Sequence, residues 1–191
     1  MPNNTANVVV GKPGTNGMSV APTGTTLPTN ESSALNAAFK GLGYCSDDGL
    51  TESEERSVDN ITAWGGDTVG STQTDFGKTF GVTLIEYLNA EVQALVRGSG
   101  NVTATPATSS SGAKLTVLTK STQPGIRSIV IDIASGTAVV RHVIPRGRVT
   151  DIGDTSWTDG DPAGLEVTIT AYPDSSGVYV YTYTNDGVPT P

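Results

Sequence analysis

Residues that carry catalytic chemistry are scarce in this chain. His142 is the only histidine, and it lies between Arg141 and Val143 in an apolar, strand-like run. There is no nucleophile elbow and no zinc-protease histidine pair, and the Gly-Lys-Pro-Gly run at 11–14 lacks the spacing of a phosphate-binding loop. Because catalysis requires a positioned nucleophile, base or metal, the sequence indicates that the protein is not an enzyme.

Two acidic clusters are the best candidates for a metal site, and neither has the right pattern. Asp151, Asp154, Asp159 and Asp161 could bind a hard cation, but aspartate in a glycine-rich loop is ordinary turn chemistry. The run 47–55 lacks the alternating carboxylates of a calcium loop. We therefore expect no metal and no cofactor, and an enzyme that uses the 151–161 loop stays an alternative.

Aromatic residues could form a surface for binding sugars. Trp64 and Trp157 are the two tryptophans, and Tyr179, Tyr181 and Tyr183 recur at every second position of a predicted strand. Stacking of aromatic rings across strands explains this pattern equally well. A carbohydrate-binding or adhesive β-sandwich of a virion, which would bind glycans through Trp157 and Tyr179, is the second function that the sequence allows.

Size and charge limit the function further. The 191 residues are most simply one domain, and the net charge of −8 argues against a surface built to grip nucleic acid. The single cysteine, Cys45, cannot form an internal disulfide, which is typical of a protein made in a reduced cytoplasm. No signal peptide or membrane-spanning run is present in the sequence, so we expect a soluble protein without a membrane partner.

The stretch from 61 to 98 predicts a hairpin followed by a helix. Phe80, Val82 and Leu84 alternate with small or hydroxylated residues, which is the period of a half-buried strand. The period then changes, and a helix is predicted over 89–97, with Asn89 as its N-cap and an apolar face formed by Leu88, Val92, Leu95 and Val96. A helix this short must pack on a sheet to persist.

The other segments complete a mainly β fold of the α+β type. Residues 1–28 are rich in glycine and proline and predict an extended N-terminal arm. Residues 29–60 predict a short helix and an acidic loop, and residues 61–184 predict a β-sandwich that holds the helix, with a last hairpin formed by 165–172 and 178–183. The tail, 185–191, is polar and predicted to be frayed.

The order of several motifs resembles the major tail proteins, or tail tube proteins, of long-tailed bacteriophages, especially those that infect actinobacteria. These motifs are Leu-Gly-Tyr at 42–44, Asp-Asp-Gly at 47–49, Trp-Gly-Gly-Asp at 64–67 and the strand-to-helix run that ends at Gly98. The resemblance implies a structural virion protein made in the host cytoplasm. It also implies a tail tube β-sandwich or barrel whose copies form stacked hexameric rings, with the tape measure protein and the tail terminator as further partners.

The resemblance gives the acidic residues a role. Double-stranded DNA would pass through the tube without specific binding, because a negative wall repels phosphate. We expect the hairpin 61–86 to line the tube, with Asp67 and Asp75 facing the lumen. Contacts between rings or neighbouring subunits are expected from the arm, from the acidic loop and from Trp64, with these individual candidates: Val20, Leu27, Asp47, Asp48 and Trp64.

Overall fold

A computed structural model describes residues 7–188, apart from the side chain of Thr15. The first six residues of the predicted arm and the last three of the predicted tail lie outside this range. The strands are β1 (Lys12–Pro22), β2 (Lys40–Gly41), β3 (Cys45–Thr62), β4 (Thr68–Leu84), β5 (Val102–Thr105), β6 (Lys114–Val117), β7 (Arg127–Ser135), β8 (Ala138–Ile152), β9 (Leu165–Tyr172) and β10 (Tyr181–Asn185). The one α-helix of the described range is α1 (Ala90–Arg97), and a 3₁₀ turn, Ser99–Asn101, follows it.

Strand β8 connects the two halves of the fold. Along one edge it pairs with β7, and along the other it pairs first with β10 and then with β9. All pairings are antiparallel, and the main sheet runs in the order β2-β1-β7-β8-β9-β4-β3, with β10 attached to β8. The sheet folds over on itself, so the chain forms the predicted mainly β sandwich with one packed helix.

The core lies between the inward faces of the two halves. Alternate residues of β4 and β9 point into it, as do residues of β1, β7 and helix α1. Its largest fully buried side chains are those of Phe80, Leu42, Leu84, Ile129, Ile144, Leu165 and Ile169. Burial of this apolar surface is the main force that holds the sandwich together.

Gly147 lies where β8 passes from one half of the sandwich to the other. A Cβ atom there would come within 2.9 Å of Ile129 Cδ1 and 3.3 Å of both Ile144 Cγ2 and Ile169 Cγ2. These three isoleucines belong to the fully buried core. Only glycine therefore allows β8 to approach the core this closely.

Helix α1 confirms the predicted helix closely. The Asn89 side chain accepts a hydrogen bond from the Glu91 backbone N–H, and Gly98 follows the last helical residue. The predicted apolar face is buried except for Leu88, which precedes the helix and is exposed. Packing on the sheet thus stabilises a helix that is too short to persist alone.

Residues 23–39 are irregular, and the short helix predicted in 29–60 is absent. The Asn30 side chain accepts hydrogen bonds from the backbone N–H groups of Ser32 and Ser33. Such local bonds satisfy the backbone without a helix. The segment instead covers a second apolar cluster of Ala21, Phe39, Val130 and Val143, against which Leu27, Leu35, Tyr181 and Tyr183 pack.

A buried ion pair fastens this irregular segment to the sheet. The Arg141 guanidinium donates two hydrogen bonds to Asp132, at 2.6 Å from Nε and 2.9 Å from Nη2. Its Nη1 also donates to the backbone carbonyls of Asn30 and Ser33, at 3.0 and 2.8 Å. Asn16 of β1 donates to the same aspartate. The pair therefore joins β1, β7, β8 and the covering segment.

Three other predictions differ from the structure. The acidic run 47–55 is not a loop but part of β3: residues 46–49 form an irregularity in the strand, and 50–55 pair residue by residue with β4. Residues 12–22 of the predicted arm form β1, which pairs with β7 and is buried at Met18, Val20 and Ala21. Strand β10 pairs with β8 rather than with β9, because β9 already has β8 and β4 as neighbours.

Candidate functional site

His142 is placed in the core rather than at a reactive site. Its Nδ1 lies 3.0 Å from the Thr182 hydroxyl, and its ring packs against Phe80. Burial lowers its pKa, and nearby Glu52 opposes this shift. A buried, largely neutral imidazole with these partners serves packing between β8 and β10.

The other residues considered for chemistry are used in packing or stand apart. No group of three or more His, Cys, Asp or Glu within residues 7–188 is arranged to hold a metal ion. The Tyr181 hydroxyl donates to Asp174 at 2.7 Å, and the rings of Tyr181 and Tyr183 pack on the second apolar cluster. Burial raises the pKa of the Cys45 thiol, which makes that side chain less reactive.

The most unusual surface belongs to the long hairpin of β3 and β4. Beyond the section that pairs with β9, the two strands continue as a ribbon, residues 57–75, in which every residue except Gly70 is exposed. Gly65 and Gly66 adopt positive φ in the loop at its tip, where the Ala63 N–H donates to the Asp67 carbonyl. A two-stranded ribbon with no sheet beneath it is marginally stable by itself.

Most of the chain's net negative charge lies on this hairpin. Residues 45–84 contain eight acidic and two basic side chains, so they carry six of the eight net negative charges. The two bases, Arg56 and Lys78, lie on the side of the hairpin that faces the sandwich. Lys78 pairs with Glu52 and Glu54, and Arg56 pairs with Glu54 and lies over the Phe76 ring. These bonds hold the pKa of Glu54 below its usual range.

The opposite face of the hairpin, over residues 51–57 and 75–83, has neither bases nor large apolar side chains. Strand alternation places it away from Phe80, Val82, Leu84 and Ile169, and a 2.7 Å contact between the Thr150 and Thr170 hydroxyls lies on it. We call this surface the polar face, and it comprises Thr51, Ser53, Glu55, Ser57, Asp75, Gly77, Thr79, Gly81, Thr83, Glu166, Thr168 and Thr170. Arg148 of β8 pairs with Thr170 and lies on the same side of the sheet at the edge of this face, where its guanidinium donates a hydrogen bond to Gln123.

Apart from Val20, the candidate residues from the sequence lie in four places. Asp67 is exposed at the ribbon tip and Asp75 is exposed on the polar face, while Asp47 and Asp48 are exposed at the start of β3. Trp64 is fully exposed at the tip. Leu27 packs on the second apolar cluster.

Val20 must be removed from the surface candidates. It is only 5% exposed and belongs to the main core, because β1 is a sheet strand rather than a free arm. A neighbouring copy could not reach it without opening the sandwich.

Sequence reasoning missed the polar face as a unit. The alternation of threonine and glycine with core residues in β4 and β9 was visible, but the pairing that aligns these rows across three strands was not. It also missed a cluster of exposed aromatic and aliphatic residues at the base of the hairpin, around Tyr44, Leu88 and Trp157.

No helix in the described residues is both long and apolar enough to cross a membrane. A comparison with curated proteins found no match. A family model described as phage tail tube protein matches residues 1–190, which is almost the whole chain. The chain therefore belongs to the phage tail tube protein family, and it is a structural protein of the virion tail that assembles with copies of itself.

Proposed function

We propose that six copies of this chain close into a ring and that these rings stack into the tube through which phage DNA leaves the virion. The observation that carries the proposal is the exposed ribbon 57–75, which contains Asp59, Asp67 and Asp75 and continues beyond the section of the hairpin that pairs with β9. Within residues 7–188, no strand other than its own partner pairs with either edge of this ribbon. Neighbouring copies would supply the missing contacts.

Ring closure would use the free edge of the hairpin. Strand β3 ends the main sheet, so one side of its 18 residues has no strand partner in the described chain. A long open edge is a template for pairing with another strand. When each copy offers this edge to the next by the same rotation, the contacts form a closed ring and the hairpins form one continuous barrel.

The polar face would then line the lumen. It presents hydroxyl groups with Glu55, Asp75 and Glu166, and the two bases of the hairpin are turned to the other side. When six copies repeat this charge around a ring, the wall repels phosphate. The short, uncharged threonine side chains add no group that would bind phosphate by charge. Asp75 is the strongest lumen candidate, and Asp67 would extend the negative charge to the tip.

The remaining candidates would make contacts between rings. Trp64 at the tip, and Asp47 and Asp48 at the base, lie at opposite ends of the hairpin, where stacked rings would meet. Leu27 lies on the covering segment and would contact a neighbouring subunit. The tape measure protein inside the tube and the tail terminator at its end are the other expected partners.

Negative-stain microscopy of the concentrated protein tests the assembly, with native mass spectrometry to count the subunits in a ring. We expect hollow stacked rings of six copies. A chain that stays monomeric at every concentration would overturn the proposal. Discrete particles that bind glycans would instead favour the adhesive β-sandwich.

Charge reversal tests the lumen assignment. In the phage that encodes this chain, Asp75→Lys should still allow tubes to form but should reduce DNA delivery, because a cation on the wall attracts phosphate. Asp67→Lys should have the same effect if the tip reaches the lumen. Asp159→Lys is the matched control, since Asp159 is exposed in the loop before β9. Unchanged delivery in both hairpin variants would remove these residues from the lumen.

A further inference from the structure

Exposed apolar side chains concentrate at the two ends of the β3–β4 hairpin. Residues 7–188 expose twelve large hydrophobic side chains, and seven of them lie at these ends. Four lie in the ribbon toward its tip, Trp64 in the loop itself and Val58, Ile61 and Val69 on both sides of the two strands that lead to it, and we call them together the tip patch. Three lie at the other end and form the base patch: Tyr44, Leu88 and Trp157.

The base patch is held in place by contacts with the end of β4. The Tyr44 carbonyl accepts a hydrogen bond from the Ile85 N–H at 3.1 Å, and the Tyr44 N–H donates to Glu86. Trp157 packs edge-on against Tyr87 with ring centroids 4.9 Å apart, and Leu88 follows Tyr87 directly. Tyr44, Leu88 and Trp157 are nonetheless 76%, 85% and 70% exposed.

The two patches cannot cover each other within one copy. Strand β4 has 17 residues, and at about 3.3 Å per residue it separates tip from base by about 55 Å. Two apolar patches at opposite ends of one long hairpin instead suit a contact between copies. The tip of one copy can meet the base of another along the same axis, and such a contact repeats without closing.

We infer that the tip patch of each copy docks on the base patch of a copy in the next ring, with Trp64 against Tyr44, Leu88 and Trp157. The inference rests on the proposed stacking of rings and identifies the two surfaces that would join them. The partner is a second copy because the chain's family assembles with itself, and because both patches expose apolar side chains that a contact between copies would remove from water. The contact would bury aromatic side chains on both sides, which are the residues that dominate interface energetics.

Mixing two variants tests the direction of this contact. Trp64→Ser removes the tip anchor, and Leu88→Ser with Trp157→Ser weakens the base. Each variant alone should form rings but not stacks, because every junction needs one intact tip and one intact base. A mixture should give pairs of rings and nothing longer. Pairs of rings from either variant alone would show that tips meet tips or bases meet bases, and would overturn the inference.

Disulfide trapping tests the contact itself. In a Cys45→Ser background, Trp64→Cys and Leu88→Cys in the same chain should give a ladder of linked copies when tubes are oxidised. Trp64→Cys with Leu118→Cys is the matched control, since Leu118 is exposed but lies outside both patches. Tubes that form without the Trp64–Leu88 link would sink this inference and leave the proposed function intact, whereas a chain that forms neither rings nor tubes would overturn the proposed function.

Discussion

Strand β4 crosses from one environment to another along its length. In residues 76–84 alternate side chains enter the core, and Phe80, Val82 and Leu84 are buried between the sheets. In residues 68–75 the same strand lies in the ribbon, where its side chains are exposed and mostly polar. The backbone pairing with β3 continues through both sections. Strand pairing therefore gives the hairpin its shape, but only the sandwich section gains stability from apolar burial within one copy.

This contrast between the buried and exposed sections of β4 indicates that the sandwich provides the folding stability and the ribbon provides a surface for contacts between copies. The sandwich folds within one copy, and the ribbon presents charge, threonine hydroxyls and an exposed tryptophan to whatever surrounds it. In the proposed tube, this hairpin would line the lumen, pair with the neighbouring copy in the ring and contact the next ring. Variants in the sandwich section should therefore reduce the stability of the single copy, whereas variants in the ribbon should leave that stability nearly unchanged and impair assembly.

Phe80→Ala should have the largest effect on folding. It deletes a fully buried ring from the core, and such truncations cost about 3–5 kcal/mol in the free energy of unfolding. The matched variant on the same hairpin, Trp64→Ala, should change that free energy by less than about 0.5 kcal/mol, because exposed substitutions have little effect. Denaturant unfolding of the unassembled chain measures both. A similar loss of unfolding free energy in both variants would contradict the claim that only the sandwich section stabilises the single copy.

Asp132→Ala should come next, at about 3 kcal/mol, because it leaves the buried Arg141 guanidinium without a counter-charge. Thermal unfolding measures the loss. The double variant Asp132→Leu with Arg141→Met is the control, and it should recover most of the stability since no charge stays buried. A double variant as unstable as the single one would show that the contacts of Arg141 with Asn30 and Ser33 are what matters.

Gly147→Ala should cost about 1–3 kcal/mol, because the added methyl group must push against three core isoleucines. Gly160→Ala is the control, since nothing lies within 4 Å of a Cβ there. Unfolding in urea compares the two. Equal stability of the two variants would mean that the three core isoleucines can shift to accommodate the added methyl group at little cost.

These residues also show how far the sequence predicts the structure. The cap at Asn89, the face of α1 and the core residues of β4 follow local periodicity, so the sequence alone located them. The Asp-Asp-Gly turn signal and the glutamates after it predict an acidic loop over 47–55, but pairing of 50–55 with β4 makes this run part of β3. Cap-type residues and the helical spacing of Leu35, Ala38 and Phe39 predict a helix in 29–41. The segment is irregular instead, and its anchor, Arg141, lies more than one hundred residues away, where local spacing gives no sign of it.

For the candidate site, too, some residues could be predicted from the sequence and others required the structure. Asp75 and Trp64 could be proposed from motif order and charge, and both are exposed on the hairpin. The polar face required the register of three strands, and the base patch required Tyr44 and Trp157 to pack on the residues after β4 although they are far apart in sequence. Long-range pairing of this kind leaves no local signal.

The smallest expected effect is a pH dependence that comes from the sandwich. Burial lowers the pKa of His142 below that of an unfolded histidine, although Glu52 opposes the shift, and Lys78 and Thr182 also face the ring. The unfolded chain therefore binds the proton first, so stability should fall as the pH drops below about 6.5. Thermal unfolding between pH 7.5 and 5 should show this loss in the wild type. His142→Asn should flatten it, and an equal loss in this variant would exclude His142 as the cause.

Hydrogen exchange of the backbone amides tests most directly whether neighbouring copies complete the ribbon. In the unassembled chain, the amides of 57–75 should exchange much faster than those of 76–84 and of β9. In assembled tubes we expect the ribbon amides to become as protected as those of the sandwich. Ribbon amides that exchange equally fast before and after assembly would contradict the idea that the hairpin is the assembly surface.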